Sequence, residues 1–198
     1  IKASAERHSQ VGDKANDGLR VDGNEVRATV IGEGGNLGMT QLGRIEYSLN
    51  GGACFTDFID NAGGVNCSDH EVNIKIMLNE VVAAGDLTVK QRNEIFMAQT
   101  AAVGELVLQD NYQQTQAIAL AVADSQLRLD EYIRLIRDFE QQGKLNRALE
   151  FLPADEQLAE RRSSGRGLTR PELAVLIAYT KADLKEQLNQ AELVSDPY

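Results

Sequence analysis

The segment from Asp60 to Glu71 sets two adjacent glycines, two side-chain amides and a hydroxyl between a short apolar segment and a helix-like run. Glycine lets the backbone approach a ligand closely and adopt positive φ at little steric cost. A turn of this kind also exposes backbone N–H groups at a helix start, where the macrodipole favours negative ligand groups. The segment therefore predicts a ligand-facing turn, although an ordinary turn followed by a helix cap has the same composition.

A second glycine-rich turn lies upstream. The alternating, β-branched run Val26–Ile31 predicts a strand, which leads through Gly32–Thr40 into a predicted helix that includes Arg44–Tyr47. A strand, a glycine turn and a helix in this order suit a nucleotide-binding α/β unit. The G-x-G-x-x-G pattern is not met, because Leu37 occupies its third glycine position. Taken alone, this turn is more typical of an ordinary strand–helix connection.

Together, the two turns resemble the two cofactor-facing turns of the glutamate dehydrogenase superfamily, in the family's order and approximate spacing. The upstream turn has the sequence Glu-Gly-Gly-Asn with Thr40 four residues on, and the downstream turn has the sequence Asn-Ala-Gly-Gly-Val. Four further segments resemble the very long bacterial NAD-specific glutamate dehydrogenases, so that the resemblance spans nearly the whole chain: Gly12–Gly18, Gly43–Tyr47, Cys67–Lys75 and Leu168–Leu176.

The resemblance implies an NAD cofactor held by these turns, and the choice of NAD over NADP rests on the resemblance alone. The glycines would let the backbone come close to the cofactor. Asn61 would hydrogen-bond to the nicotinamide carboxamide or the nearby ribose, and Asn36 would be the side-chain partner in the other turn. The implied cofactor-binding residues form one group in each turn: Gly34, Gly35 and Asn36, and Asn61, Gly63 and Gly64.

Ser68 matches the family position whose hydroxyl binds the distal carboxylate of glutamate. Related dehydrogenases for apolar amino acids place an apolar residue there, because a buried hydroxyl facing an apolar tail would stay unpaired at a cost of about 1–3 kcal/mol. Serine therefore favours a substrate with a carboxylate tail. Alternatively, Ser68 caps a helix that begins at Asp69, and it could do both. His70 could reach the substrate or make local hydrogen bonds at the helix start.

By resemblance, the chain is part of an NAD-dependent glutamate dehydrogenase, which interconverts L-glutamate with 2-oxoglutarate and ammonia. The catalytic lysine and aspartate of the family belong to segments N-terminal to this chain, so we predict no catalytic residue here and no turnover by the chain alone. The remainder of the parent polypeptide is then a partner, and the full enzyme is expected to be a homo-oligomer. An alternative function is a non-catalytic interaction or regulatory module formed by the helices from Thr88 onward.

Composition argues against several other classes of function. The formal net charge is −10, and no basic stripe is present that could neutralise nucleic-acid phosphates. No apolar run approaches the ~20 residues needed to span a bilayer, so we predict no membrane association and a cytoplasmic location. The spacing of Cys54 and Cys67 fits no zinc framework, and only His8 and His70 could add imidazole ligands. We therefore predict no metal site and two buried free thiols.

Helical periodicity dominates the remainder of the chain. Apolar spacing predicts a helix over Asp69–Val82 that ends at Gly85. Thr88 and Gln91 predict a capping box at the start of the next helix. We predict a break in that helix near Gln109–Asn111.

The intervals from Ile118 to Ile136 predict one long helical run that stops at Gly143, followed by a short helix over Leu145–Leu149. Ser163–Gly167 predicts a flexible link. A final helix is predicted to open with a capping box made by Thr169 and Glu172. Its predicted apolar face comprises Leu173, Leu176, Ile177, Leu184 and Leu188.

These elements predict an α/β remnant joined to an all-α region. We expect a mainly helical chain with one or two short strands from the end of a Rossmann-like NAD domain, followed by a helical bundle. The predicted boundaries are 1–84 for the C-terminal portion of the NAD-binding domain and 85–198 for the helical C-terminal domain. Residues 1–24 are rich in Gly, Asp, Asn and Lys, so we expect loops or poor order there.

Overall fold

Short strands and long helices make up the regular structure of the chain. A computed structural model describes residues 1–35 and 38–191. Its strands are β1 (Val30–Ile31) and β2 (Ala53–Cys54), and 3₁₀-helices cover Lys14–Leu19 and Gly23–Glu25. The α-helices of these residues, in chain order, are α1 (His8–Val11), α2 (Gln41–Leu49), α3 (Asp57–Asp60), α4 (Gly63–Ala84), α5 (Val89–Asp124), α6 (Leu129–Gln141), α7 (Asp155–Ser163) and α8 (Arg170–Gln190). The prediction of a mainly helical chain with one or two short strands is confirmed.

The chain forms two compact units. The first unit comprises residues 1–57 and 118–198, and the second unit comprises residues 58–117. None of the described helices is both long and apolar enough to cross a membrane. The domain boundary after residue 84 remains a prediction.

Strand β1 is shorter than the predicted strand over Val26–Ile31. It pairs in parallel with β2 through Val30 opposite Ala53 and Ile31 opposite Cys54. The Ala53 N–H also donates to the Thr29 carbonyl at 2.9 Å, and β2 offers no further residue to pair with the earlier part of the run. The Tyr47 hydroxyl instead donates to the Ala28 carbonyl at 2.7 Å, so a side chain from α2 replaces the missing strand partner.

The first 24 residues are better structured than their composition suggested. They contain α1, the whole of the first 3₁₀-helix and part of the second, and Lys2 and Ala3 are buried. The Lys2 N–H donates to the Val21 carbonyl at 3.2 Å, and the Gly23 N–H donates to the Lys2 carbonyl at 2.8 Å. An ion pair between Lys2 and Asp22 joins the same two segments. Because these contacts are long-range, composition alone did not predict them.

Helix α8 begins with the capping box predicted from the sequence. Glu172 is only 1% exposed, and its carboxylate accepts a hydrogen bond from the Thr169 N–H at 2.7 Å. Arg161, at α7, donates to both carboxylate oxygens, at 2.6 and 2.8 Å. Pro171 lies in the first turn, where its missing N–H has no helical partner to lose. The buried charge is therefore paired as well as hydrogen-bonded, which is what its burial requires.

The predicted apolar face of α8 is correct only for the first half of the helix. Leu173 and Leu176 are buried in the first unit, whereas Leu184 is 54% exposed and Leu188 is 50% exposed. The periodicity continues beyond the point where neighbouring elements of the described chain cover the helix. The same apolar spacing therefore describes a buried face in one half and an exposed face in the other.

The predicted flexible link at Ser163–Gly167 forms an exposed turn whose last residue, Gly167, packs against another segment. Gly165 has a φ of +68°. A Cβ atom on Gly167 would lie 2.5 Å from the Ser125 carbonyl carbon and 2.6 Å from the Gln126 nitrogen. This glycine is required because another backbone segment passes directly against it.

Helix α5 runs without interruption through the predicted break at Gln109–Asn111. The Asn111 side-chain amide donates to the Val107 carbonyl at 2.8 Å, and the Thr115 hydroxyl donates to the Asn111 carbonyl at 3.0 Å. These polar side chains bond back onto the helix and do not terminate it. The interruption lies after Asp124, inside the run that was predicted to be continuous, and α6 follows from Leu129.

The end of α6 and the segment after it differ in how well the sequence predicted them. Gly143 has a φ of +69°, and the Lys144 N–H donates back to the Phe139 carbonyl at 2.9 Å, so the predicted helix stop is confirmed. The predicted helix over Leu145–Leu149 is absent. Asn146 instead accepts a hydrogen bond from the Leu149 N–H at 3.1 Å, and the side chain nucleates a turn.

In the second unit, α4 and α5 are joined by the connection that the sequence predicted. Gly85 ends α4 with a φ of +86°. The Thr88 N–H donates to Gln91 Oε1 at 2.9 Å, and the Gln91 N–H donates to the Thr88 hydroxyl oxygen at 3.3 Å, which forms the predicted capping box. The start of α4 differs, because the helix begins at Gly63 and not at Asp69.

We predict that Gly167→Ala lowers the free energy of unfolding by about 1–3 kcal/mol, because the added methyl group overlaps the Ser125–Gln126 backbone. Thermal unfolding of the variant beside the unsubstituted protein measures the effect. Gly104→Ala is the control, since Gly104 lies inside α5 with no atom within 4 Å of a built Cβ. The control should be neutral or more stable by about 0.5–1 kcal/mol. Equal losses in both variants would contradict the packing explanation.

Candidate functional site

The upstream glycine turn follows β1 in the first unit. Gly34 and Gly35 form a turn with exposed backbone, and neither has a positive φ. A Cβ atom built on either glycine would meet no atom within 4 Å. Neither the backbone conformation nor packing against the described chain therefore explains why these residues are glycine. Asn36, the third predicted member of this turn, lies outside the described residues.

A buried ion pair lies directly beside this turn. Glu33 is 7% exposed and precedes Gly34, and Arg44 is a buried residue of α2. Glu33 Oε1 accepts a hydrogen bond from the Met39 N–H at 3.0 Å. Glu33 Oε2 lies 2.8 Å from Arg44 Nε and 2.8 Å from Arg44 Nη2. The carboxylate thus connects the beginning of the turn to its end and to the following helix.

Arg44 also contacts two further side chains of the first unit. Its Nη2 atom lies 3.4 Å from Asp57 Oδ1, and its Nη1 atom donates to Gln41 Oε1 at 3.2 Å. The Gln41 side-chain amide in turn donates to the Pro171 carbonyl at 3.2 Å, at the start of α8. The glycine turn is therefore connected through α2 to the beginning of the C-terminal helix.

The downstream turn lies in the second unit and leads directly into α4. Asn61 is exposed between α3 and α4, and Gly63 and Gly64 form the first turn of α4. Neither glycine has a positive φ, and a Cβ atom on either would meet nothing within 4 Å. The N-cap residue is Ala62, which has no side-chain oxygen to accept hydrogen bonds from the N–H groups of the first turn.

Ser68 lies inside α4 and not at its start. Its hydroxyl donates to the Gly64 carbonyl at 3.2 Å, one helical turn earlier, and the residue is exposed. The alternative in which Ser68 caps a helix beginning at Asp69 is therefore wrong, because the glycines themselves are helical. A serine hydroxyl rotates freely, so its single O–H can turn from the Gly64 carbonyl towards a carboxylate ligand.

His70 makes a long-range contact with α5. Its Nε2 atom lies 2.8 Å from Asp110 Oδ2, forty residues away in the sequence. The expectation of local hydrogen bonds at the helix start is therefore wrong. The pair joins α4 to the middle of α5 within the second unit, two residues after Ser68.

Cys54 and Cys67 are not in a disulfide. Cys54 is buried, as predicted, whereas Cys67 is half-buried and its sulfur lies 3.6 Å from Glu71 Oε2. Among the residues that the structure describes, no three His, Cys, Asp or Glu side chains gather in a way that could hold a metal ion.

The structure thus brings four of the predicted residues together on one element and its entry turn: Asn61, Gly63, Gly64 and Ser68. Gly34 and Gly35 belong to the first unit, with the Glu33–Arg44 pair beside them. Sequence reasoning missed that pair. Both residues occur in segments that carried the family resemblance, but eleven positions separate them and no local pattern indicates that they meet.

Comparison with known proteins identifies the family of this chain. A family model described as the catalytic domain of bacterial NAD-glutamate dehydrogenase matches residues 1–121, which include both glycine turns and Ser68. The chain belongs to the bacterial NAD-glutamate dehydrogenase family. A second model, described as the C-terminal region of glutamate dehydrogenase, matches residues 165–198. The resemblance inferred from the sequence is confirmed.

Three similar proteins carry the name NAD-specific glutamate dehydrogenase. The chain is 65% identical to the protein of Pseudomonas aeruginosa over 198 residues, which is 100% of this chain. It is 55% identical to the protein of Halomonas elongata over 197 residues and 46% identical to that of Mycobacterium tuberculosis over 193 residues, or 100% and 98% of this chain. In each case the matched region spans 12% of the length of the relative.

Proposed function

We propose that the chain is part of an NAD-dependent glutamate dehydrogenase and supplies portions of its cofactor and substrate sites. The enzyme would convert L-glutamate to 2-oxoglutarate and ammonia. The observation that carries this proposal is the family match over residues 1–121, together with 65% identity along the whole chain to a protein named for this activity. The residues that carry out proton transfer would lie in the remainder of the polypeptide.

Two glycine pairs would form the cofactor contacts, Gly34 with Gly35 and Gly63 with Gly64. All four lack both a positive φ and a neighbouring atom that excludes a Cβ. Close approach of a ligand would account for glycine at such positions. Asn36 and Asn61 would supply side-chain hydrogen bonds to the nicotinamide half of NAD.

The start of α4 would contribute backbone donors. Gly63, Gly64 and Val65 occupy the first turn, where N–H groups have no partner within the helix. Asn66 is the first residue whose N–H is bonded in the helical pattern, to the Ala62 carbonyl at 2.9 Å. Carbonyl, ribose or phosphate oxygens of a bound cofactor would satisfy the free donors.

Ser68 would select the substrate. It lies one turn beyond the glycines on the same helix, with its hydroxyl exposed. Donation from this hydroxyl to the distal carboxylate of glutamate would fix the substrate relative to the cofactor, which aligns the α-carbon for reaction. When bound, NAD accepts the hydride released from that carbon.

The wider assignments follow from the same proposal. We assign residues 1–84 to the end of a Rossmann-like NAD domain and residues 85–198 to a helical C-terminal domain. The Cys54 thiol is buried and not in a disulfide, which suits a reducing compartment and supports a cytoplasmic location. A homo-oligomeric full enzyme rests on the family resemblance.

The first test compares glutamate-dependent NAD reduction by the full-length enzyme and its Ser68→Ala variant. We expect glutamate kcat/KM to fall by about tenfold or more, while the KM for NAD stays within about twofold, because the hydroxyl contacts the substrate tail. Thr100→Ala is the matched control, since its hydroxyl also bonds back to its own helix, to the Phe96 carbonyl at 3.3 Å. Preference of the unsubstituted enzyme for leucine over glutamate would contradict the substrate assignment.

A second test replaces Gly63 and Gly64 singly by alanine. Each added methyl group meets no atom of the described chain, so we expect stability to be unchanged or slightly higher. The KM for NAD should nevertheless rise by about tenfold, because the methyl group lies where the cofactor approaches. Unfolding and steady-state kinetics measure the two effects separately. A stable variant with an unchanged KM for NAD would show that these glycines do not contact the cofactor.

A second function, as an interaction module, is favoured by the surface of α5. Met97, Leu108 and Tyr112 are exposed along this helix. Beside it lies an open groove of about 500 Å³ whose lining includes Phe96 and Val103. If this exposed surface serves assembly, replacing Met97, Leu108 and Tyr112 together by serine should abolish oligomer formation while NAD affinity persists. Light scattering and NAD titration distinguish this outcome, and an intact oligomer in the triple variant would contradict it.

A further inference from the structure

We propose that Glu33 and Arg44 are positioning residues for the Gly34–Gly35 turn, and that they set the enzyme's affinity for NAD without contacting the cofactor. This inference rests on the proposed function, in which that turn contacts the nicotinamide half of NAD. It adds two residues whose role lies in holding the turn and not in binding the ligand.

The Glu33 side chain joins the two ends of the turn. Glu33 stands immediately before the glycines, and its carboxylate reaches the Met39 N–H at the far end of the turn at 3.0 Å. The same side chain is held by the Arg44 guanidinium through two contacts of 2.8 Å. One carboxylate therefore joins the residue before the glycines to the Met39 amide and to Arg44 of α2.

Packing against the described chain does not hold the two glycines in place. A Cβ on Gly34 or Gly35 would meet no atom within 4 Å, so these residues gain no packing from the described chain. Gly38, at the other end, lies beside Glu33, whose Oε1 atom would be 3.5 Å from a Cβ built there. The position of the exposed glycines thus depends on the buried residues that flank them.

Arg44 is itself held by further contacts. Its guanidinium also contacts Asp57 at 3.4 Å and Gln41 at 3.2 Å, and only 7% of its side chain is exposed. A buried, multiply bonded guanidinium has little freedom to reorient. The described residues on either side of the turn are consequently held in place before any ligand binds, which lowers the ordering cost of binding.

The test compares two arginines with matching surroundings in the full-length enzyme. Arg44 bridges Glu33 and Asp57, whereas Arg147 bridges Glu140 at 2.7 Å and Asp155 at 2.6 Å, with 14% of its side chain exposed. We expect Arg44→Met to raise the KM for NAD by about tenfold, with the KM for glutamate within about threefold. Arg147→Met should lower the unfolding temperature but leave both KM values within about twofold.

Two further variants keep the test decisive if Arg44→Met folds poorly. Glu33→Gln preserves the shape of the side chain and removes its charge, so we expect a folded protein with an intermediate rise in the KM for NAD. Arg44→Lys retains the charge without the paired donors and should recover only part of the affinity. Equal changes in the KM for NAD in the Arg44 and Arg147 variants would overturn the proposal, as would an unchanged KM for NAD in both Arg44→Met and Glu33→Gln.

Amide hydrogen exchange separates this inference from the proposed function. The Met39 amide should exchange faster in Arg44→Met and Glu33→Gln than in Arg147→Met, whether or not NAD is bound. If the unsubstituted enzyme shows no glutamate-dependent NAD reduction, the proposed function fails, while the exchange result still reports whether the pair holds the turn. Unchanged Met39 exchange in both variants of the pair would refute the positioning role on its own.

Discussion

The structure of the first unit depends on one buried carboxylate, that of Glu172 at the start of α8. Glu172 is almost fully enclosed, and such a charge is tolerated only where it is both paired and hydrogen-bonded. Arg161 supplies two donors and Thr169 supplies a backbone N–H, so the start of α8 is defined by three groups at once. The adjacent Pro171 carbonyl accepts a hydrogen bond from Gln41, which connects this start to α2. Gln41 also accepts a hydrogen bond from Arg44, so the start of α8 is connected through α2 to the arginine beside the upstream glycine turn.

Local chemistry accounts for the parts of the fold that the sequence predicted well. The capping boxes at Thr88 and Thr169 and the glycine stops at Gly85 and Gly143 depend on residues within one or two turns of each other. The predictions that were wrong concern contacts between residues that lie far apart in the sequence. The turn at Gly167 is packed because Ser125 lies against it, over forty positions away along the sequence. No window of sequence contains both partners of such a contact.

In the candidate site, too, the sequence indicated which residues matter but not their conformation or long-range contacts. Family resemblance indicated Asn61, Gly63, Gly64 and Ser68, and all four occur together at the start of α4. It did not indicate that the glycines are already helical, because adjacent glycines usually signal a turn outside a helix. Nor did it indicate the contact between His70 and Asp110, which depends on how α4 packs against α5.

The alanine at the N-cap of α4 has a thermodynamic consequence. Ala62 is buried and carries no side-chain oxygen, so the N–H groups of the first turn receive no side-chain cap from this residue. A ligand whose oxygens accept hydrogen bonds from these N–H groups would complete the cap itself. Ligand occupancy and the order of the first helical turn would then be linked equilibria, in which each favours the other.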